Sequence, residues 1–316
     1  MMNGKDENLG LVRLSERCYG YMQKDEGLGW SNSGLIAGHD SALLIDTLFD
    51  LPLTRKMLAE IEDKVRKPVR QLVNTHHNGD HWWGNQLVEG AQIIGHRMFR
   101  SEMMKMTPET VHVIDSLPSD MPAVGLLKKA MAPFDFSGIK LTPPTLVFDD
   151  RLTLYIGDQE VELIHVGPAH TATDVIVFFP GEKVLYAGDI IFRLCTPIGW
   201  EGTFKNWISA LDTIIRLAPE KIVPGHGPLC GLEGAKEMRD YLNYIYAEAR
   251  SCFDRGLTTA EASKAIDPGP YAGWTEPERI VFSVARAYRE FRGEPYDAPS
   301  DPFEMANIMA EIRQRL

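Results

Sequence analysis

Residues 74–85 read NTHHNGDHWWGN, and the interpretation of this stretch decides the fold. His76, His77, Asp80 and His81 fall within six consecutive positions, after the apolar run VRQLVN and before a tryptophan pair. The run reads as a strand. The cluster therefore sits on a loop at a strand's C-terminal end, where sheets backed by helices keep their chemistry. Imidazole nitrogen and carboxylate oxygen are the donors zinc accepts in catalytic sites, which leave one position for water.

Three later segments add groups of the same kind at predicted strand ends: His170 in GPAHTATD, Asp189 in YAGD and His226 in PGHG. A lone strand-end histidine is more often hydrogen bonded within the structure than bound to metal. Four such segments in this order, each with glycine beside it, point instead to a metal centre.

Outward from the cluster, residues 11–47 hold short apolar runs separated by glycine and polar turns, which read as antiparallel strands. LPLTRKMLAEIEDKV spaces Leu53, Met57, Leu58 and Ile61 as a helix, with proline in its first turn. WWGNQLVEG is expected to form a short helix and AQIIGH a strand. Residues 97–144 are rich in methionine and proline, which suits an insertion over a pocket or at an interface as well as a plain helical connection. Strands follow in LTLYIGDQEVELIHVG, DVIVFFPGEKVLYAGD and KIVPGH, with the amphipathic helix TFKNWISALDTIIRL between the last two. The chain beyond residue 231 reads as helices. Two similar halves of this order predict an α/β protein of two packed mixed sheets with helices outside.

The chain has 316 residues and a formal net charge of -11, so a nucleic-acid partner is not expected. The polar N-terminus lacks the apolar core of a leader, and no run reaches the length of a membrane span, so a cytoplasmic protein is expected. Cys18, Cys195, Cys230 and Cys252 form no C-x-x-C pair and read as buried thiols.

The motif set resembles the metallo-β-lactamase-fold superfamily over about residues 11–230, through its H-x-H-x-D-H, G-x-x-H-T-x-x-D, bridging-aspartate and P-G-H-G segments. The resemblance implies an αββα four-layer sandwich: a catalytic domain over 1–230, with 97–144 inserted, and a helical extension over 231–316. It also implies two metal positions. His76, residue 78, His170 and Asp189 would form the first, and Asp80, His81, Asp189 and His226 the second. Residue 78 is Asn78, and a neutral carboxamide is a poor zinc donor. One tightly held zinc is therefore expected in the second position, with the first weak or empty. His77 is not expected to replace the lost ligand, because adjacent side chains in an extended segment point to opposite sides.

One zinc suffices to turn a bound water into a hydroxide nucleophile. Asp80 or Asp189 would accept its proton, while His76 and His170, if unmetalled, would act as acid or position substrate. Asn78 would bond either to a developing anion or only within its loop.

Within the superfamily the chain also resembles the hydrolytic dehalogenases that act on chlorothalonil. That implies a homodimer with one catalytic zinc per subunit and a structural zinc at the interface. His112 and Asp115 in VHVID, three apart on a predicted helix, would suit a peripheral metal, although the residues alone favour an exposed polar pair. Trp82, Trp83 and Trp200 would wall a pocket for an apolar or aromatic small molecule, with Trp82 and Trp83 serving equally as core anchors. Ester or lactone hydrolysis is the alternative, β-lactam hydrolysis less so. A degenerate binding protein is disfavoured by the retained metal-type residues.

Overall fold

The computed structural model describes residues 9–24, 27–298 and 301–315; the polar start, residues 1–8, lies outside them. The first half supplies β1 (Gly10–Arg13), β2 (Cys18–Met22), β3 (Ser33–Ala37), β4 (Ala42–Ile45), α1 (Leu51–Lys64), β5 (Val69–Val73) and β6 (Gln92–His96). After α2 (Phe99–Glu102), α3 (Pro108–Ser116) and α4 (Pro122–Met131), β7 (Leu146–Phe148) completes a seven-stranded sheet in the order β1-β2-β3-β4-β5-β6-β7. The second half supplies β8 (Arg151–Ile156), β9 (Gln159–His165), β10 (Val175–Phe179), β11 (Val184–Phe192), α5 (Phe204–Leu217) and β12 (Lys221–His226). Its five-stranded sheet runs β12-β11-β10-β9-β8. The chain ends in α6 (Leu232–Asp254), α7 (Thr259–Ala265), α8 (Ile280–Phe291) and α9 (Pro302–Arg313).

Corresponding parallel crossovers through a single long helix occur in both halves, β4 to β5 by α1 and β11 to β12 by α5, and in the first half β6 also reaches its parallel neighbour β7 through α2–α4. Helices α1 and α5 are capped as their sequences dictate. The Asp50 side chain accepts from Leu53 N at the start of α1, and Thr203 from Asn206 N at the start of α5.

Side-chain alternation along the strands builds the layers. In β10, Val175, Val177 and Phe179 face the inter-sheet core, while Ile176 and Phe178 face the outer helices with Trp207 and Leu211. In β4, Leu43 and Ile45 turn to the same inter-sheet core, and Leu44 turns to Met57 and Ile61 of α1. The result is the αββα sandwich. Helices α6 and α8 lie with α5 on the second sheet's outer face, and α9 packs against α4 of the 97–144 segment.

At the centre of the sandwich the Tyr186 hydroxyl donates to the carbonyls of Tyr19 and Leu35, and its ring occupies the space above Gly34 where a side chain would stand. Gly34→Ala is expected to destabilise the fold by about 1–3 kcal/mol through overpacking. Urea unfolding measures this, and a loss below about 0.5 kcal/mol, the usual scale of a neutral surface change, would contradict it.

WWGNQLVEG yields only a 3-10 turn, Asn85–Leu87, in which the Asn85 side chain donates to Asn74 Oδ1 and the Thr142 carbonyl. No helix among the described residues is long and apolar enough to cross a membrane.

Candidate metal centre

The strand ends of both sheets meet at one rim. β5 leads into His76, Asn78, Asp80 and His81; β9 and β10 are joined by the loop carrying His170; β11 contains Asp189; β12 ends at His226. Asp189 lies at the centre. Its Oδ2 is 3.3 Å from His170 Nε2, 3.3 Å from His226 Nε2 and 3.7 Å from His76 Nε2, and its Oδ1 is 3.1 Å from His81 Nε2. Asp80 Oδ2 stands 3.4 Å from His226 Nε2 and 3.9 Å from His81 Nε2. Gly225 is what makes room, since a Cβ there would overlap the Asp189 carboxylate.

All four imidazoles have Nδ1 engaged and Nε2 directed inward. His81 Nδ1 is 2.9 Å from Asp46 Oδ2, and His76 Nδ1 is 3.0 Å from Thr75 Oγ1. His170 Nδ1 donates to the Ile198 carbonyl at 2.6 Å and His226 Nδ1 to the Trp30 carbonyl at 3.1 Å. Carbonyl and carboxylate partners on the outer nitrogen fix the tautomer that presents a lone pair on the inner one, as in metal sites. His76 Nε2, His81 Nε2 and Asp189 Oδ1 are buried with no aligned hydrogen-bond partner, so they converge on shared space rather than on one another. This donor set fits a divalent ion. Two groups of three come together there: His76, His81 and Asp189, and Asp80, His81 and His226.

The expected division into two positions is thus not sharp in the side-chain geometry, because His81 belongs to both groups. Without an ion the charges balance internally. Burial disfavours charge on His226, but Asp189 and Asp80 override it and push its pKa up to about 10. Burial also opposes ionisation of Asp189, yet His226, His81, His76 and His170 hold it well below the usual carboxylate range. His170 falls to about 4 because burial outweighs Asp189.

Asn78 faces His170, with its side-chain oxygen placed 3.0 Å from Nε2. The Nδ1 proton of His170 is spent on Ile198, so the inner nitrogen is a lone pair. Two acceptors do not meet at that distance unless a cation lies between them or the amide is turned to donate its N–H. In the turned state Asn78 occupies the very lone pair that His170 would give to a metal.

Other candidates lie elsewhere. His77 points away from the cluster: Nδ1 is 2.8 Å from Thr173 Oγ1, and burial drives its pKa down to about 3. It gathers with Glu102 and Glu201, and Lys105 pairs with both of those carboxylates. Trp82 and Trp83 are not pocket walls. They are 0% and 1% exposed, in a cluster with Phe49, Phe99 and Phe136, and Trp82 Nε1 donates to the His77 carbonyl. The tryptophans anchor the metal loop from below. Trp200 is half-buried beside Phe282 and lines an apolar cavity with Leu28, Leu126, Ile198 and Met309. His112 and Asp115 are exposed on α3 and belong to none of the groups of three metal-type side chains that meet among the described residues.

Sequence reasoning missed Asp46 and Asp174. Asp46 accepts from Thr75 N and Oγ1, both at 2.7 Å, besides holding His81. Asp174, whose pKa burial raises to about 7, accepts from Ala169 N and Thr171 N and braces the His170 loop. The D of HTATD was a usable signal for the second; SALLIDT carried none for the first.

A two-sheet sandwich with a histidine–aspartate rim defines a class of metal-site proteins. Residues 27–226 match the model of the metallo-beta-lactamase superfamily, and the chain belongs to that superfamily. It is 25% identical over 323 residues to a linear primary-alkylsulfatase of Pseudomonas sp. (strain ATCC 19151), covering 88% of this chain and 60% of that one. It is 27% identical over 197 residues to the 2,4-dinitroanisole O-demethylase subunit alpha of Nocardioides sp. (strain JS1661), covering 60% of this chain and 51% of the relative. The solved structure of the stereoselective inverting sec-alkylsulfatase Pisa1 from Pseudomonas sp. superposes with a TM-score of 0.67 at 18% identity, over 94% of this chain and 53% of that one. The chain therefore spans between about half and three fifths of the length of these relatives.

Proposed function

We propose that the chain is a metal-dependent hydrolase whose substrate joins an apolar or aromatic body to a leaving anion. One observation carries this reading: four inward Nε2 atoms and two aspartates converge at one rim, each imidazole with its outer nitrogen engaged. His76, His81, His170, His226, Asp80 and Asp189 would hold the metal. Zinc bound there supplies Lewis acidity and lowers the pKa of water toward neutrality. Asp80 is the carboxylate with the greater access, at 13% side-chain exposure against 4% for Asp189, and so is the better placed to take a proton from incoming water. Asn78 offers an amide to the substrate at the same edge. The apolar cavity beside Ile198 and Trp200 suits the body of such a substrate.

A sulfate ester is the favoured leaving chemistry, supported by the alkylsulfatase relatives. The second reading, replacement of chloride by hydroxyl on an electron-poor arene such as chlorothalonil, is favoured by Asn78 and by the relative named for 2,4-dinitroanisole, an electron-poor aryl ether.

The test is metal content per subunit for the wild type and Asn78→His, with sulfate, chloride and acid release measured from alkyl sulfates, chloroarenes and aryl esters. The wild type is expected to hold one tight ion, and Asn78→His to gain a second equivalent, since imidazole replaces a weak donor. A wild type that already holds two ions would overturn the single-ion reading, and an apo protein with undiminished turnover would overturn the metal reading. The product released decides the substrate class.

A further inference from the structure

The loop bearing His170 is held from a direction that no motif contains. The guanidinium of Arg286 donates from Nη1 to the Ala169 carbonyl and from Nη2 to the His170 carbonyl, the latter at 3.3 Å. Arg286 belongs to α8, beyond the 27–226 match, and is 2% exposed. Among the described residues its Nε has no hydrogen-bond partner, and the carboxylates of Asp174, Glu201 and Glu290 act on it only as neighbouring charges. A buried charge without a direct carboxylate hydrogen bond is costly. Burial, with Arg289 adding to it, draws the pKa of Arg286 down to about 9.

A fitted slot surrounds that charge. Its Cζ lies 5.3 Å from the Trp207 ring centroid, and the Trp207 ring in turn meets the His170 ring edge-on at 5.8 Å. On another side Gly199 leaves the necessary room: a Cβ there would stand 2.9 Å from the Arg286 Cζ and 3.0 Å from its Nε. The same His170 carbonyl also accepts from Trp200 N and Glu201 N, at 3.1 and 3.2 Å. The loop's backbone is thus fixed from the C-terminal helices, while its ring is fixed by Ile198.

We infer that Arg286 is a positioning residue: its forked guanidinium sets the Ala169 and His170 peptides so that His170 presents Nε2 to Asp189, making the C-terminal helices part of the metal centre. The inference rests on the reading of His170 as a metal-site residue. A planar fork with two parallel donors does this, whereas lysine offers a point charge without the fork.

The test compares Arg286→Met, Arg286→Lys and Gly199→Ala with wild type by amide hydrogen exchange and by zinc titration. Arg286→Met is expected to speed exchange in residues 169–174 while the sheets stay protected, and to weaken zinc binding by about 10–100-fold, the scale of losing an outer partner of a ligand. Arg286→Lys should fall between it and wild type. Gly199→Ala keeps the charge but displaces the guanidinium, and should move both readouts the same way. Unchanged local exchange and affinity in Arg286→Met, or exchange that rises uniformly across the fold, overturns the inference. If Arg286→Met does not fold, the same two readouts in Arg286→Lys and Gly199→Ala decide it. A wild type that binds no zinc defeats the metal reading instead, and the exchange data still decide whether Arg286 holds the loop.

Discussion

Asp189→Asn is expected to lower turnover on the order of 10³-fold, the scale of removing a principal electrostatic group from an active site. Its carboxylate reaches all four imidazoles, at 3.1 to 3.7 Å, so its charge acts on every histidine of the centre. The asparagine keeps the shape and removes the charge. With it goes the attraction that balances His81 and His226, whose pKa values are raised chiefly against burial by this residue. Steady-state assays and metal analysis on the purified variant measure the result. Retention of full metal content with a rate within about tenfold of wild type would place Asp189 among the outer partners.

Asp46→Ala is the second large effect. Asp46 is 2% exposed and joins Thr75, at both backbone and hydroxyl, to the outer nitrogen of His81. Removing one member of a buried charged network costs about 3–5 kcal/mol, because the remaining polar groups are left without partners. Backbone geometry adds to this: Asp46 has φ +61°, a region that aspartate visits more readily than alanine. Chemical denaturation of the metal-free protein isolates the stability term, and zinc titration adds the ligand term, about 10–100-fold in affinity. A loss of less than about 1 kcal/mol, no more than a single ordinary hydrogen bond, would show that Thr75 and His81 are held by other means.

Much of this was legible in the chain. Helical spacing placed α1, α5 and the C-terminal helices, and short apolar runs bounded by turn residues placed β5 and β6. The six central metal-type residues were legible because ligand chemistry leaves identity and spacing behind. What escaped did so for physical reasons. β7 is only three residues long and partly exposed, too short for a period. Trp82 and Trp83 were equally compatible with pocket and core, since aromatic rings serve both and only packing decides. Asp46 and Arg286 act through hydrogen bonds to residues 35 and 116 positions away, and contacts of that range leave no local pattern.

The ligands occupy the ends of strands, whereas the apolar cavity is bounded by α4, α8 and α9. Floor and roof are separate pieces of chain. The floor is bound to the sandwich core and tolerates little change; the roof is helical, its α8 packs into the core of the second sheet and carries Arg286, and only its cavity-facing side chains are free of the strands' ligands. Laboratory evolution toward a new substrate should begin with the facing positions Leu126, Phe282 and Met309, and leave the rim alone.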